Sequence, residues 1–321
     1  MQGGNTLEQL PLGADSQRAA IARAQQSLAT IILGKDDAIS LALACLLARG
    51  HLLIEDLPGL GKTMLAQALA QVLGLTYQRI QFTSDLLPAD IVGVSVFRQH
   101  KGEFEFQQGP VFAQLVLADE VNRATPKAQS ALLEAMEERQ VSVDGRTLPL
   151  PQPFFVVATQ NPVTQIGTFP LPESQLDRFL MRLELGYPSE DHERALLTGQ
   201  DRRGMLADIT PAMGPADLLA LQEAAAAVHL SEPLVDYVQA LVRYTRESPD
   251  IETGLSPRAA LALAAAARAI ALIRGHSGVY PDDVQAVFTA VAGHRLKPAS
   301  GSSLVHAAEL GRHVLDTVAI P

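Results

Sequence analysis

A glycine-rich loop between a short apolar strand and an amphipathic helix is the sequence feature that most constrains this fold. Residues 51–54 (HLLI) are typical of a buried strand, and residues 62–73 show helical periodicity that Gly74 ends. The loop between them, residues 55–61 (EDLPGLG), is rich in turn-forming residues. This order of strand, loop and helix predicts a parallel α/β fold.

The loop and the first helical turn match a phosphate-binding motif with one departure. The general pattern begins with glycine, and Asp56 stands in that place. Lys62 would supply a charge to the β- and γ-phosphates, and Thr63 a hydroxyl to Mg²⁺. A glycine turn with no ligand is the alternative. The nucleotide-contacting residues predicted from this segment are Pro58, Gly59, Leu60, Gly61, Lys62, Thr63 and Met64.

Polar residues follow two further apolar strands. Asp119 and Glu120 end the strand that begins at residue 114, and Asn161 follows the strand beginning at residue 154. Because ligands bind at the carboxyl ends of parallel strands, Asp119 is predicted to hold the metal and Glu120 to take a proton from water. Asn161 is predicted to orient that water or to contact the γ-phosphate. The alternatives are a solvated strand end for the acids and a simple turn residue for Asn161.

Composition argues against several other functions. The chain of 321 residues carries a net charge of −10 and no tryptophan, and its basic runs, Arg202-Arg203 and Arg295 with Lys297, are short. These features disfavour nucleic acid as the main ligand. The eight histidines are scattered and the single cysteine, Cys45, leaves no zinc-ligand spacing. No apolar run is long enough to span a membrane and no export signal is visible, so a cytoplasmic location is expected.

Three segments are expected along the chain: a flexible lead-in over residues 1–15, an α/β nucleotide-binding domain over 16–188 and a helical domain over 189–321 with no convincing strand. Residues 30–33 are predicted to be extended, and Asp36 or Asp37 to cap the helix that follows. Hairpins are predicted around residues 100–102 and, turning at Asp144-Gly145, over residues 140–150. Six helices are predicted in the third segment, near residues 190–200, 215–228, 231–247, 256–274, 280–292 and 304–318.

Five motifs stand in register along the chain: residues 55–63 (EDLPGLGKT), 117–124 (LADEVNRA), 131–141 (ALLEAMEERQV), 158–162 (ATQNP) and 171–179 (LPESQLDRF). Together they closely resemble the MoxR family of AAA+ ATPases, over about residues 20–300. Lys35 departs from the family pattern, which more often has glutamine there. The resemblance implies a P-loop AAA+ αβα core with a parallel sheet and a C-terminal all-helical lid.

The resemblance also implies roles for two arginines. Arg178 matches the arginine finger, which acts on the nucleotide of a neighbouring subunit. A salt bridge with Asp177, or a finger role for Arg182 or Arg123, are the alternatives. Arg258 matches a second sensor that would reach the phosphate within its own subunit. The adenine-flanking segment implied by the resemblance consists of Ile31, Ile32 and Gly34.

The function implied by the resemblance is ATP hydrolysis, with ATP and Mg²⁺ bound, by a homo-oligomeric ring, for which the resemblance implies a hexamer. The family suggests a chaperone-like role in assembling or maturing other protein complexes, often with a partner that bears a von Willebrand A domain. Residues 92–108 and 141–150 match family insertions that face the pore or a partner. A helicase-like motor on DNA and a nucleotide switch without turnover are the alternatives.

Overall fold

A computed structural model describes residues 14–161, 168–199, 202–300, 302 and 307–320. The first part of the described chain folds around one parallel sheet, and the remainder is mainly helical. The helices are α1 (Ala14–Ile31), α2 (Asp36–Leu47), α3 (Lys62–Val72), α4 (Pro88–Val92), α5 (Pro126–Glu138), α6 (Glu173–Leu176), α7 (Glu190–Thr198), α8 (Arg202–Ala207), α9 (Pro215–Ala227), α10 (Glu232–Glu247), α11 (Pro257–Arg274), α12 (Pro281–Ala292) and α13 (Ala307–Thr317).

The central sheet has five parallel strands in the order β2-β5-β8-β1-β9. Three further strand pairs are antiparallel: β3 with β4, β6 with β7, and β10 with β11. The strands are β1 (Leu52–Glu55), β2 (Tyr77–Gln81), β3 (Gly93–Arg98), β4 (Glu103–Gln108), β5 (Leu115–Asp119), β6 (Gln140–Val143), β7 (Arg146–Pro149), β8 (Phe155–Gln160), β9 (Met181–Leu183), β10 (Ile251–Thr253) and β11 (Lys297–Pro298).

Both faces of the sheet are buried, which explains why its inner strands are continuously apolar. Side chains of β5 alternate between the two faces: Leu115 and Leu117 join one apolar cluster, while Val116 and Ala118 join the other. The second cluster lies under α4 and α5. The first cluster includes α1, α2 and α3 and continues into α9, α11 and α12, so the apolar core runs from the sheet into the helical segment.

This architecture confirms the α/β fold with a parallel sheet and a C-terminal helical lid, by which we mean residues from α7 onward. The lid also contains the short pair β10–β11, so the expectation of a lid without strands was wrong. Pairing between segments 44 residues apart stabilises these strands, and neither has enough residues to show a periodic pattern. The short helix α8 was also not predicted.

Three local predictions near the N-terminus need correction. Residues 30–33 are not extended, because α1 continues to Ile31 and ends in a turn. Asp36 and Asp37 lie inside the first turn of α2, where their negative charge interacts favourably with the helix dipole. The cap residue is Lys35. Helix α1 begins at Ala14, so the last two residues of the predicted lead-in are helical; residues 1–13 lie outside the described part.

Two hairpins extend from the core, as the turn residues predicted. Strands β3 and β4 form the first, around a turn at residues 99–102, and β6 and β7 form the second. Asp144 and Gly145 both have positive φ, which is the conformation of a two-residue hairpin turn. The hairpins contact each other through a hydrogen bond from Ser95 Oγ to Asp144 Oδ2.

Candidate nucleotide site

The glycine-rich loop connects β1 to α3. Its two glycines lie at positions whose backbone conformation strains any residue that has a side chain. Gly59 and Gly61 have φ of 88° and 89°, and Gly61 is the cap residue of α3. A Cβ at either position would meet no atom within 4 Å, so the requirement is conformational and the space beside the loop is open. Backbone N–H groups at the start of α3 can therefore face an anion. Pro58 is exposed, and Leu60 and Met64 are half-buried.

Lys62 begins α3, and its ammonium group is hydrogen-bonded to the loop and to Asn161. Its Nζ donates to the carbonyl oxygens of Asp56 and Leu57 and, at 3.2 Å, to Asn161 Oδ1. Burial lowers the pKa of Lys62, while the carboxylates of Asp56 and Asp119 oppose this shift. The loop thus keeps a desolvated cation at the place where a phosphate would be bound.

Asp119 ends β5 and is almost buried. Thr159 donates its hydroxyl to Asp119 Oδ1 at 2.5 Å, and Thr63 Oγ1 lies 3.5 Å from Asp119 Oδ2. The second carboxylate oxygen also accepts from Arg79, at 2.6 Å from Nη2. Thr63 and Asp119 therefore present the hydroxyl and carboxylate oxygens that Mg²⁺ prefers.

Glu120 follows Asp119 in the left-handed conformation, with φ 56°. Its carboxylate accepts from Asn161 Nδ2 at 3.0 Å, from Gln81 Nε2 at 3.0 Å and from Arg123 Nε at 3.2 Å. Its backbone N–H donates to the Thr159 hydroxyl. The unusual backbone and these bonds hold the carboxylate at the same sheet edge as Lys62.

Five predicted residues are therefore brought together at the carboxyl edge of the sheet: Lys62, Thr63, Asp119, Glu120 and Asn161. The sequence interpretation missed Arg79, Gln81 and Thr159, which bind the two carboxylates. Arg79 and Gln81 alternate with Ile80 on the edge strand β2. Polar residues at alternate positions of a strand lie on the same face, which is a signal that they have polar partners there. Among the described residues, no group of three His, Cys, Asp or Glu side chains could hold a metal ion alone.

Asp56 connects the phosphate-binding loop to the start of the lid. Its Oδ2 accepts from the backbone N–H groups of Leu185 and Gly186, each at 2.7 Å, and its Oδ1 accepts from Leu57 N at 2.9 Å. Leu185 and Gly186 lie just after β9, on the segment that leads to α7. An acid at this first motif position therefore anchors that segment, which a glycine could not do.

The predicted adenine-flanking segment lies where α1 ends. Ile31 and Ile32 are buried in the core, and Gly34 has φ 65°. A Cβ at Gly34 would lie 2.3 Å from Nδ1 of His192, so the imidazole of α7 packs directly on this glycine. Lys35 Nζ donates to Tyr187 O at 2.7 Å. The segment therefore contacts the first part of the lid on the side of the phosphate-binding loop.

Arg178 and Arg258 lie together at the other edge of the sheet. Both bind Glu137, at 2.9 Å from Arg178 Nη2 and 2.5 Å from Arg258 Nη2, and the Arg258 hydrogen bond lowers the pKa of Glu137. They line a cavity of about 390 Å³ with Gly50 and His51, which precede β1. The phosphate-binding loop follows β1, so the strand separates these arginines from the loop of their own chain.

The expectation that Arg258 reaches the phosphate of its own subunit is therefore wrong for this structure. Helix α11 begins at the amino edge of the sheet, and its first turn holds Arg258 against Glu137 and, at 3.9 Å, Asp177. The other finger candidates lie elsewhere. Arg123 binds Glu120 of its own chain, and Arg182 binds Glu55 at 3.0 Å, at the end of β1.

Asp177 does not form a salt bridge with Arg178, the alternative that the sequence left open; it binds Arg295 at 2.6 Å. The Arg295 side chain is almost buried and also donates to the carbonyl oxygens of Phe179, Leu180 and Val291. Arg295 is thus a structural residue that fixes the Arg178 segment against α12. It is not available to bind a nucleic acid.

Comparisons with known proteins place this geometry in a family. Residues 51–181 match the model for "ATPase family associated with various cellular activities (AAA)", and residues 243–310 match the AAA lid domain. The chain is 45% identical to "Chaperone MoxR1" of Mycobacterium tuberculosis over 89% of this chain and 78% of that protein. It belongs to the MoxR family of AAA+ ATPases.

Two further relatives agree with this assignment. An uncharacterized protein, YeaC, of Bacillus subtilis is 44% identical over 94% of this chain and 95% of its own length. The crystal structure of a putative ATPase from Cytophaga hutchinsonii superposes with a TM-score of 0.86 and 35% identity, over 96% of this chain and 97% of that one. In the described part of the chain, no helix is both long and apolar enough to cross a membrane.

Proposed function

We propose that this MoxR-family chain hydrolyses ATP in a homo-oligomeric ring, a hexamer, in the cytoplasm, and uses the cycle to assemble or remodel partner proteins. One observation carries the proposal: the acids, the lysine and the amide lie at one edge of the sheet, while Arg178 and Arg258 lie at the opposite edge. A site made from both sets needs two copies of the chain.

The residues at the carboxyl edge fit a nucleotide and Mg²⁺. The N–H groups around Gly59 and Gly61 and the ammonium group of Lys62 would hold phosphates, and Thr63 with Asp119 would hold the metal. Bound Mg²⁺ would neutralise charge on the phosphate oxygens. Ile31, Ile32 and Gly34 would flank the adenine.

The acid and the amide lie side by side, with Asn161 Nδ2 3.0 Å from Glu120 Oε1. Glu120 would take a proton from the attacking water, and Asn161, which donates to Glu120 and accepts from Lys62, would position that water. Arg178 would come from the neighbouring copy and stabilise charge on the phosphate that is transferred. Arg258 shares Glu137 with Arg178, so both arginines would face the same neighbouring copy.

The two hairpins support a role on other proteins. Phe97 and Phe104 face each other across β3 and β4, with ring centroids 5.3 Å apart, and Phe104 is 71% exposed. An exposed aromatic pair suits an apolar protein segment better than a nucleic-acid backbone. The nearby charges are mixed, since Arg98 is paired with Glu105 at 2.8 Å. We propose a client protein here, working with a partner that carries a von Willebrand A domain.

Changing Glu120→Gln tests the hydrolytic step. It removes the proton acceptor but leaves Lys62 and Thr63, so we expect nucleotide binding to persist while turnover falls by about 10²–10⁴-fold. Glu247→Gln, an exposed carboxylate on α10, is the matched control and should leave turnover unchanged. If the Glu120→Gln chain turns over ATP at the wild-type rate, Glu120 is not the proton acceptor. If the unmodified chain binds ATP without turnover, the protein is a nucleotide switch.

The Glu120→Gln chain also serves to identify the client. Held in the ATP state, it should retain a protein partner that the wild type releases, and mass spectrometry would identify that partner. Stimulation of wild-type turnover by DNA, with no effect of the retained protein, would favour the helicase-like alternative.

A further inference from the structure

The lid carries an open apolar groove between α10 and α11. This lid groove has a volume of about 740 Å³ and is lined mainly by aliphatic side chains. Leu261, in the second turn of α11, is 74% exposed, which is a large exposure for an apolar side chain. Its apolar lining is formed mainly by Val235, Val238, Val242, Ala260, Leu261 and Ala264.

The rim of the lid groove is basic. Arg243 and Arg246 on α10 and Arg268 on α11 line it, and the described residues of the lining include no carboxylate. The Nε of Arg268 is buried and has no hydrogen-bond partner among the described residues. The chain as a whole has a net charge of −10, so this local basic rim favours an apolar segment that carries acidic groups.

Helix α7 of the same chain has that chemistry. It has nine residues, all described, and none of them is buried. Leu197 is 83% exposed and Leu196 46%. Glu193 lies one helical turn before Leu197, and Glu190 lies a further turn back on the same face. The first turn of α7 also contains Asp191, and Arg194 is its one cationic residue apart from the His192 ring.

Helix α7 and the lid groove lie on different sides of the chain. His192 of α7 packs on Gly34, beside the nucleotide edge. Leu261 lines both the lid groove and the cavity that holds Arg178 and Arg258, at the opposite edge. A chain therefore presents the acidic, leucine-bearing helix with its nucleotide site, and the basic groove with its arginine pair.

We propose that α7 of one subunit packs in the lid groove of the next, with Leu197 against Leu261 and Glu193 near Arg243. Joining these two different surfaces is a head-to-tail contact, the type of interface from which a ring is built when the rotation between subunits closes. It places the arginine pair of one subunit beside the nucleotide edge of its neighbour. This interface rests on the proposed ring and identifies the surfaces that hold it together.

Cross-linking between subunits tests the contact directly. Leu197→Cys and Leu261→Cys chains would be mixed with Mg²⁺ and a non-hydrolysable ATP analogue and treated with a short bismaleimide; the native Cys45 is buried. We expect a covalent dimer in the mixture and none with either variant alone. If sedimentation shows that the mixture forms rings and no covalent dimer appears, the interface is refuted while the ring stands.

A charge exchange provides a second, independent test. Glu193→Arg and Arg243→Glu should each weaken nucleotide-dependent assembly at least several-fold in sedimentation velocity, and the double variant should recover most of it. Asp316→Arg, on the exposed side of α13, is the matched control and should assemble normally. Normal assembly of both single variants, or no recovery in the double variant, would refute the pairing of these residues.

The proposed function and the interface fail in different ways. All these variants keep Lys62, Thr63, Asp119 and Glu120, so each should bind a fluorescent ATP analogue as a single subunit with wild-type affinity. A wild-type chain that remains monomeric with nucleotide and Mg²⁺ would refute the ring itself, and with it the interface.

Discussion

Acid should destabilise this protein through His51, a buried imidazole directly before β1. Its Nδ1 accepts from Val156 N at 3.0 Å, so Nε2 carries the proton and donates to Met136 O at 3.2 Å. The ring thus connects β1, β8 and α5 in its neutral form. Burial is the main cause that lowers the pKa of His51 from 6.5 to about 4; the Arg139 charge lowers it further, against the hydrogen bond to Met136.

The direction of the pH effect follows from the two pKa values. Between pH 6.5 and about 4 the unfolded chain binds a proton at His51 and the folded chain does not, so the free energy of unfolding falls as the pH falls. The full interval between the two values corresponds to about 3 kcal/mol. Between pH 7 and pH 5 the expected loss is about 2 kcal/mol.

Urea denaturation at pH 7 and pH 5, for the wild type and for His51→Gln, measures this loss. Glutamine lacks the titrating ring but keeps a donor and an acceptor, so His51→Gln should lose about 2 kcal/mol less than the wild type between the two pH values. The difference isolates His51, because His294, whose pKa burial also lowers, is present in both chains. Parallel pH dependence in the two chains would refute the assignment of a neutral His51.

Two further changes test the nucleotide edge. Asp56→Gly restores the general motif residue but removes the acceptor for the Leu185 and Gly186 N–H groups, so both amides should exchange hydrogen faster and the free energy of unfolding should fall by about 1–3 kcal/mol. Asp56→Asn keeps one side-chain oxygen, so its free energy of unfolding should fall less. Unchanged hydrogen exchange in Asp56→Gly would contradict the role of Asp56 as an anchor. Arg79→Ala removes a cation that competes with Mg²⁺ for Asp119 Oδ2, so the Mg²⁺ concentration needed for half-maximal nucleotide binding should fall about two- to fivefold. A rise in that concentration would show that Arg79 instead positions the Asp119 carboxylate.

The nucleotide edge could be predicted because its chemistry is local. Strand, glycine loop and helix are contiguous, and the two other strands end in polar residues, so parallel topology alone brings Lys62, Asp119 and Asn161 to one edge. The hydrogen-bond partners of Asp119 and Glu120 could not be predicted in the same way. Arg79 and Gln81 reach Asp119 and Glu120 only because β2 pairs beside β5, which is a long-range contact.

The position of Arg258 shows where a sequence motif stops being informative. Ser256 caps α11 and Pro257 begins it, but the packing of α11 on α2 and α9 sets which edge of the sheet its first turn meets. The prediction that residues 30–33 are extended was wrong for a related reason. Thr, Ile and Ile favour strands locally, whereas burial of Leu28 and Ile31 in the core keeps α1 helical to Ile31.

The central claim is that each active site combines the nucleotide edge of one subunit with an arginine of the next. Mixing Arg178→Ala chains with Glu120→Gln chains and measuring steady-state ATP hydrolysis tests it most directly. Each chain alone should be inactive, and an equal mixture should recover about a quarter of wild-type sites, since one interface in four joins an intact Glu120 to an intact Arg178. If the mixture stays as inactive as its components although both chains enter the same ring, the account is contradicted.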